Sequence, residues 1–216
     1  MDFSSRVRAL AAIASLVVSS GLYWPVAAWA DDVECLEAAQ VPGEFPSMSD
    51  LDGAEFDLGA VVAANHFTIL YWYATGCPCV LRYQQRIEAI AETYAADGVA
   101  VLGVSSNADD DLAALRESID ERGFLLPVIR DDDGSLADQL GVRSTPTTVV
   151  LDSSGAVLFV GWIDNERQPG QSGREAWLED ALRAAIAGGS TQVVEAPTYG
   201  CPLTRRRGRH ENCGTD

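Results

Sequence analysis

Phe67-Thr68-Ile69-Leu70-Tyr71-Trp72-Tyr73-Ala74-Thr75-Gly76-Cys77-Pro78-Cys79 is the stretch on which the fold of this chain turns. Its first seven residues form a continuous apolar, β-prone run, the mark of a buried strand. From Pro78 the pattern changes. Val80, Tyr83, Ile87, Ile90, Ala91 and Tyr94 recur at three- and four-residue spacing, as on the buried face of a helix. Pro78 suits the first helical position and disfavours helical geometry in the residue before it, so Cys77 is expected to be the N-cap. A helix N-terminus carries roughly half a positive charge, which favours a thiolate over a thiol. Two thiols at such a junction are placed to become reactive.

Downstream, Gly98 ends the helix and Val99 to Val104 reads as a second buried strand. Asn107 and Asp109-Asp110-Asp111 suit the start of a helix carrying Leu112, Leu115 and Ile119. Leu126 to Ile129 is a short strand, Asp131-Asp132-Asp133-Gly134 a turn, and Leu136 to Leu140 a short helix. Both aspartate runs are read as caps and turns, since they lack the alternating ligands of a calcium loop. Thr147 to Leu151 and Val157 to Trp162 are strands joined by Asp152-Ser153-Ser154-Gly155, a hairpin signal. A last helix, with Ala176, Trp177, Leu182, Ala185 and Ile186, stops at Gly188-Gly189. Upstream, Asp50 to Leu58 alternates around a turn, as in a short hairpin or edge strand. This order predicts an α/β domain with a central mixed sheet and helices on both faces.

The ends read differently. Arg6 and Arg8, the mostly apolar Ala9 to Leu22, and Ala28-Trp29-Ala30 make residues 1–30 an expected signal peptide, removed before Asp31. Residues 31–48 are an irregular lead containing Cys35, residues 49–189 the domain, and residues 190–216 a polar tail with Cys201 and Cys213. All 15 basic residues are Arg, and they face 32 acidic ones. Such a chain repels nucleic-acid phosphate and anionic lipid headgroups. Nucleic-acid partners are therefore not expected, and no segment after residue 30 reads as long and apolar enough for stable membrane insertion after signal cleavage. The basic cluster Arg205-Arg206-Arg207-Gly208-Arg209 is read as part of the solvated tail. Five cysteines in an exported chain imply an oxidising compartment, periplasmic or extracellular. An odd number leaves at least one thiol without an intramolecular partner.

Trp72 to Pro78 resembles the segment leading to the nucleophilic cysteine of exported thioredoxin-like proteins. Leu140-Gly141-Val142-Arg143-Ser144-Thr145-Pro146-Thr147, followed by a strand and a turn, resembles their cis-proline segment. Over about residues 50–188 the chain is similar to the thioredoxin-like superfamily, in its redoxin or AhpC/TSA (peroxiredoxin-like) branch. The resemblance implies a thioredoxin-like fold. It makes Cys77 the nucleophile, places a cis Pro146 opposite it, and gives the backbone of Thr145 an extended thiol-bearing substrate to pair with.

The motif departs from the family at several points. Val80 stands where C-x-x-C would have its second cysteine, and Cys79 comes two residues after Cys77 instead. On a helix those positions lie roughly 200° apart, so a Cys77–Cys79 disulfide would strain the first turn and be oxidising. Two mechanisms follow. In the preferred one Cys77 and Cys79 form that strained pair; in the other, Cys77 resolves against Cys201 or an external thiol. Tyr71 replaces the buried acid of thioredoxins, and Gly76 their Trp. A peroxiredoxin would have Thr three residues before its cysteine, where Ala74 stands. Arg143 is a candidate to stabilise the Cys77 thiolate, or else a surface arginine paired with nearby acids. Cys35 and Cys213 are available for a clasp, as is a Cys201–Cys213 pair.

The leading expectation is an exported thiol–disulfide oxidoreductase acting on protein or small-molecule thiols and disulfides through a Cys77 mixed disulfide. A thiol peroxidase using Cys77 is the alternative. A Cu(I)-binding protein using Cys77 and Cys79 ranks lower, because His66 and His210 have no helpful spacing. Exchange needs no cofactor, since the cysteines carry the electrons.

Overall fold

The structure is a computed structural model that describes residues 44–167, 170–189 and 193–204. The expected signal peptide, most of the irregular lead with Cys35, and the arginine cluster with Cys213 lie outside the described residues. The Phe67 run forms strand β3 (Phe67–Trp72), following a hairpin of β1 (Met48–Ser49) and β2 (Glu55–Phe56) and a helix α1 (Leu58–Ala64). After β3 come α2 (Pro78–Tyr94), β4 (Val99–Ser105), α3 (Leu112–Arg122), β5 (Val128–Arg130) and α4 (Ser135–Gln139). Then follow β6 (Ser144–Thr145), β7 (Thr148–Asp152), β8 (Val157–Gly161), α5 (Trp177–Ile186), β9 (Val194–Glu195) and β10 (Cys201–Pro202).

The main sheet has the order β2-β1-β5-β4-β3-β7-β8-β9. Its centre is parallel (β3 with β4, β4 with β5), while β7 runs antiparallel to β3 and β8 to β7. Alternate residues of β3 serve the two faces, as the pleat requires. Ile69, Tyr71 and Tyr73 pack with Val80, Tyr83 and Ile87 of α2, Leu115 of α3, and Leu178 and Leu182 of α5. Leu70 and Trp72 face the other way, against Leu58 and Val62 of α1 and Leu136 of α4. The fold is thioredoxin-like α/β, with a mixed central sheet and helices on both faces.

Two features depart from the sequence reading. Helix α1 was not foreseen: at seven residues it is too short to display a period, and Asp57 starts it by accepting the Ala60 N–H at 2.8 Å. Residues 193–204, read as part of a polar tail, instead lie along the domain as β9 and β10. The aspartates do take cap and turn duties. Asp111 caps α3 by accepting from Ala114 N, and the fully buried Asp131 accepts from Leu136 N, Ala137 N and the Ser106 hydroxyl. These bonds satisfy donors that a helix start otherwise leaves open.

Candidate active site

β3 ends at Trp72, and the chain makes a short loop before α2. Pro78 is the first residue of α2 and Cys77 its N-cap, with φ −90° and ψ 112°. The loop is held from the side of α3. Asp110, 5% exposed, accepts from the Thr75 N–H at 3.1 Å and the Thr75 hydroxyl at 2.5 Å. Arg122 donates to the Thr75 carbonyl and to the Tyr73 hydroxyl. Sequence reasoning assigned the Asp109–Asp111 run to capping and did not separate Asp110 from Asp111. Only the register of the preceding loop tells which of them turns inward.

Opposite the N-cap, the Thr145–Pro146 peptide bond is cis. The Cys77 thiol donates to the Thr145 carbonyl at 3.4 Å. Here the two motifs meet as the resemblance implied. The strand edge of Thr145 is, however, already paired. β10 runs antiparallel to β6, with Cys201 opposite Thr145 and Pro202 opposite Ser144. Cys201 thereby joins Cys77 and Cys79, and all three cysteines are free thiols.

The three sulfurs differ electrostatically. Burial pushes the Cys77 thiol up, but hydrogen bonds from Cys201, Thr145 and the amides of Val80 and Cys79 outweigh it and leave it below the ordinary thiol value. Cys201 is pushed up to about 12 by burial, by its bond to Cys77 and by the negative charge of Cys77. Cys79 is raised by burial and then by Cys77, against the opposing pull of Arg82. Cys77 is therefore the thiol that ionises, with Cys201 donating to it. Tyr71, in place of the buried acid, donates to the Val80 carbonyl at 3.2 Å, and burial holds it protonated far above the ordinary phenol value. An expected result follows from the order of these thiols. The rate of Cys77 alkylation will rise with pH through a midpoint below the ordinary thiol value, because the thiolate reacts. Cys201→Ala removes a donor to that thiolate and moves the midpoint upward; an unmoved midpoint in a pH series would refute the role given to Cys201.

Three features of the site were not given by the sequence reading. Cys77 is buried, at 1% exposed. Cys79, expected to point away from Cys77, still feels its charge, which adds to burial in raising the Cys79 thiol. Arg143 does not serve the thiolate. Its guanidinium pairs with Asp138 at 2.9 Å at the surface, because the short α4 presents that carboxylate five residues before it. The cation that acts on Cys79 is Arg82, one turn after it. Its i, i+3 spacing was visible in the sequence. Among the described residues no group of three His, Cys, Asp or Glu side chains is arranged to hold a metal ion.

The description of the AhpC/TSA family matches residues 39–160. The chain belongs to that family. It is 26% identical over 113 residues to the thiol-disulfide oxidoreductase ResA of Halalkalibacterium halodurans, covering 52% of this chain and 62% of that one. Against the thiol:disulfide interchange protein DsbE of Escherichia coli it is 26% identical over 182 residues, 81% of this chain and 91% of the relative. A hypothetical protein of Sinorhizobium meliloti 1021 superposes with a TM-score of 0.64 at 22% identity, covering 76% of this chain and 92% of that one. That likeness bears on the fold alone. This AhpC/TSA member thus spans under two thirds of the ResA relative it matches.

Proposed function

We propose that this AhpC/TSA protein is an exported thiol–disulfide oxidoreductase that acts on protein or small-molecule thiols and disulfides through a Cys77 mixed disulfide. The observation that carries this reading is the Cys77 sulfur, 3.4 Å from the Thr145 carbonyl beside cis Pro146, with Cys201 on the strand paired to Thr145. The names of the ResA and DsbE relatives support it. Export rests on the basic, apolar and A-x-A pattern of residues 1–30.

In the reductive direction the Cys77 thiolate attacks one sulfur of a substrate disulfide. A Cys77–substrate bond forms, and the other substrate sulfur leaves as a thiolate. A second cysteine then gives its proton to a departing thiolate and attacks Cys77 Sγ, releasing the remaining substrate thiol. Two protein thiols are oxidised and one substrate disulfide is reduced; the reverse sequence donates the disulfide. Cys201 is the second cysteine in this scheme, because it sits on a strand in register with Thr145. This displaces the strained Cys77–Cys79 pair from first place. Peroxidase chemistry is less well served, since the Thr75 hydroxyl is engaged by Asp110 and the Arg143 guanidinium by Asp138.

Oxidised glutathione and peptide mapping test the reading. A full-length chain with Cys79→Ser and Cys201→Ser will accumulate glutathione on Cys77, whereas the unmodified chain will lose it to a Cys77–Cys201 disulfide. A Cys77 that never carries glutathione would overturn the proposal, and a Cys77–Cys79 bridge would return the second role to Cys79.

A further inference from the structure

After α5 the chain runs back across the domain it has just completed. β9 lies parallel to β8, and Ala196 N donates to the Val160 carbonyl at 2.9 Å. The Tyr199 ring stands edge-on to Trp162, with centroids 5.0 Å apart, and the Arg167 guanidinium lies 4.2 Å from the Tyr199 centroid. β10 then pairs with β6. Beyond it, Leu203 N donates to the Arg143 carbonyl at 2.9 Å, and the Leu203 side chain is buried in the cluster around Leu136 and Val142. The far end is pinned on the loop before α3: Thr204 N donates to Asn107 Oδ1 at 2.8 Å, and Ala108 N donates to the Thr204 carbonyl at 3.0 Å. This strap occupies the two-residue edge of β6 opposite the buried Cys77, so no other strand can pair there while it is seated.

We propose that Tyr199–Leu203 hold the place of a substrate strand, and that the site beneath them takes an extended protein segment with glycine directly before its cysteine and an aliphatic residue two positions after it. The proposal rests on Cys77 being the exchange nucleophile. The glycine requirement is steric. A Cβ at Gly200 would stand 2.0 Å from the Thr145 carbonyl oxygen and 3.0 Å from its carbon, and Gly200 has φ +119°. The obstacle is backbone, which cannot swing aside as a flexible side chain does. Any chain that brings a sulfur to the Cys201 position along this path meets the same oxygen. The aliphatic preference follows from Leu203, 8% exposed although it lies at the end of the strap. Two residues before the cysteine, an aromatic ring fits against Trp162. The indole N–H of Trp162 is buried and has no acceptor among the described residues, so a donor is available to an incoming chain. Specificity here comes mainly from exclusion, with apolar contacts adding to it.

The probe is a peptide copying Ala196 to Thr204, its cysteine activated as a disulfide with a coloured aryl thiol. Cys77 attacks the peptide sulfur, the peptide–Cys77 disulfide forms, and the aryl thiolate leaves and is measured. In the full-length Cys79→Ser, Cys201→Ser chain, this peptide will react ~10-fold faster or more than its Gly200→Val copy, a difference of one decade in rate. Adding Gly200→Val to the protein unseats the strap and raises the rate with the native peptide by a similar factor. Asn107→Ala, which frees the Thr204 end, raises it in the same direction and guards against a folding effect of the valine. Equal rates for the two peptides, or no response to either protein variant, would overturn the proposal. Failure of both peptides while glutathione still reacts would overturn it alone; failure with glutathione as well would remove the oxidoreductase reading with it.

Discussion

A Cys77→Ser chain will lose disulfide exchange by ~10³-fold or more, while Cys79→Ser and Cys201→Ser will each keep the first half of the reaction. The chemistry sets the size of the loss. A serine hydroxyl is not ionised near neutral pH and cannot form a sulfur–sulfur bond, so no mixed disulfide exists for a neighbour to resolve. The two neighbours differ from Cys77 in the opposite sense. Both have thiols raised above the ordinary value, so neither is a competent first nucleophile while Cys77 holds the charge. Insulin reduction measures turnover, and a single-turnover reaction with an activated disulfide isolates the first step. The assignment fails if Cys77→Ser retains more than about a tenth of either rate, one decade being 1.4 kcal/mol of barrier. The burial of Cys77 adds a kinetic corollary. A sulfur that is 1% exposed reacts with a large partner only when its surroundings open, so turnover on proteins will depend on local opening around Cys77.

Most of the sheet was legible because its strands are long enough to show what they bury. Phe67–Trp72 and Val99–Ser105 are continuous apolar runs, and they form the parallel centre. The placement of Cys77 as an N-cap was legible from Pro78 alone, since the ring dictates geometry on both sides of it. The meeting of Cys77 with Thr145-Pro146 was legible only through the family resemblance, because the two segments are 68 residues apart. What escaped were contacts made by elements too short to carry a period. Strands β9 and β10 have two residues each, in a stretch rich in glycine, proline and threonine that reads as a tail. They close the strand edge at Thr145, opposite Cys77. No pattern local to Cys77 reports that pairing. Gly200 held the clue, yet a glycine in a tail is read as a turn until its Cβ is seen to strike a particular carbonyl. The choice between the two readings of Arg143 was hidden for a related reason: its neighbour Asp138 lies on a five-residue helix whose facing direction depends on Asp131.

Asp164→Ala will destabilise the fold by about 3 kcal/mol, at the low end of the range for breaking a buried ion pair. Asp164 is fully buried just after β8. Its carboxylate accepts from Arg86 at 2.7 Å on one oxygen and from Arg174 at 2.9 Å on the other. It also accepts the Glu166 N–H at 3.0 Å, which turns the Glu166 carbonyl toward Arg86 and the Tyr83 hydroxyl. Removing Asp164 leaves the mostly buried Arg86 guanidinium with one carboxylate, Glu166 at 3.0 Å, in place of two. That remaining contact is why the loss stays at the low end. For a chain of this size the shift in Tm is roughly 6–12 °C, at 2–4 °C per kcal/mol. Urea denaturation and thermal melts measure both quantities. The cost belongs to the stranded charge more than to the lost attraction, so Asp164→Ala combined with Arg86→Met will recover part of it. An Asp164→Ala chain within 1 kcal/mol of the parent, or a double variant less stable than the single, would contradict this account. The same residues hold the loop that carries Trp162 and Arg167 against Tyr199, so loosening them will also loosen the strap. Alkylation of Cys77 in the single variant will therefore be faster than in the parent under native conditions, which couples this ion cluster to access at the thiol.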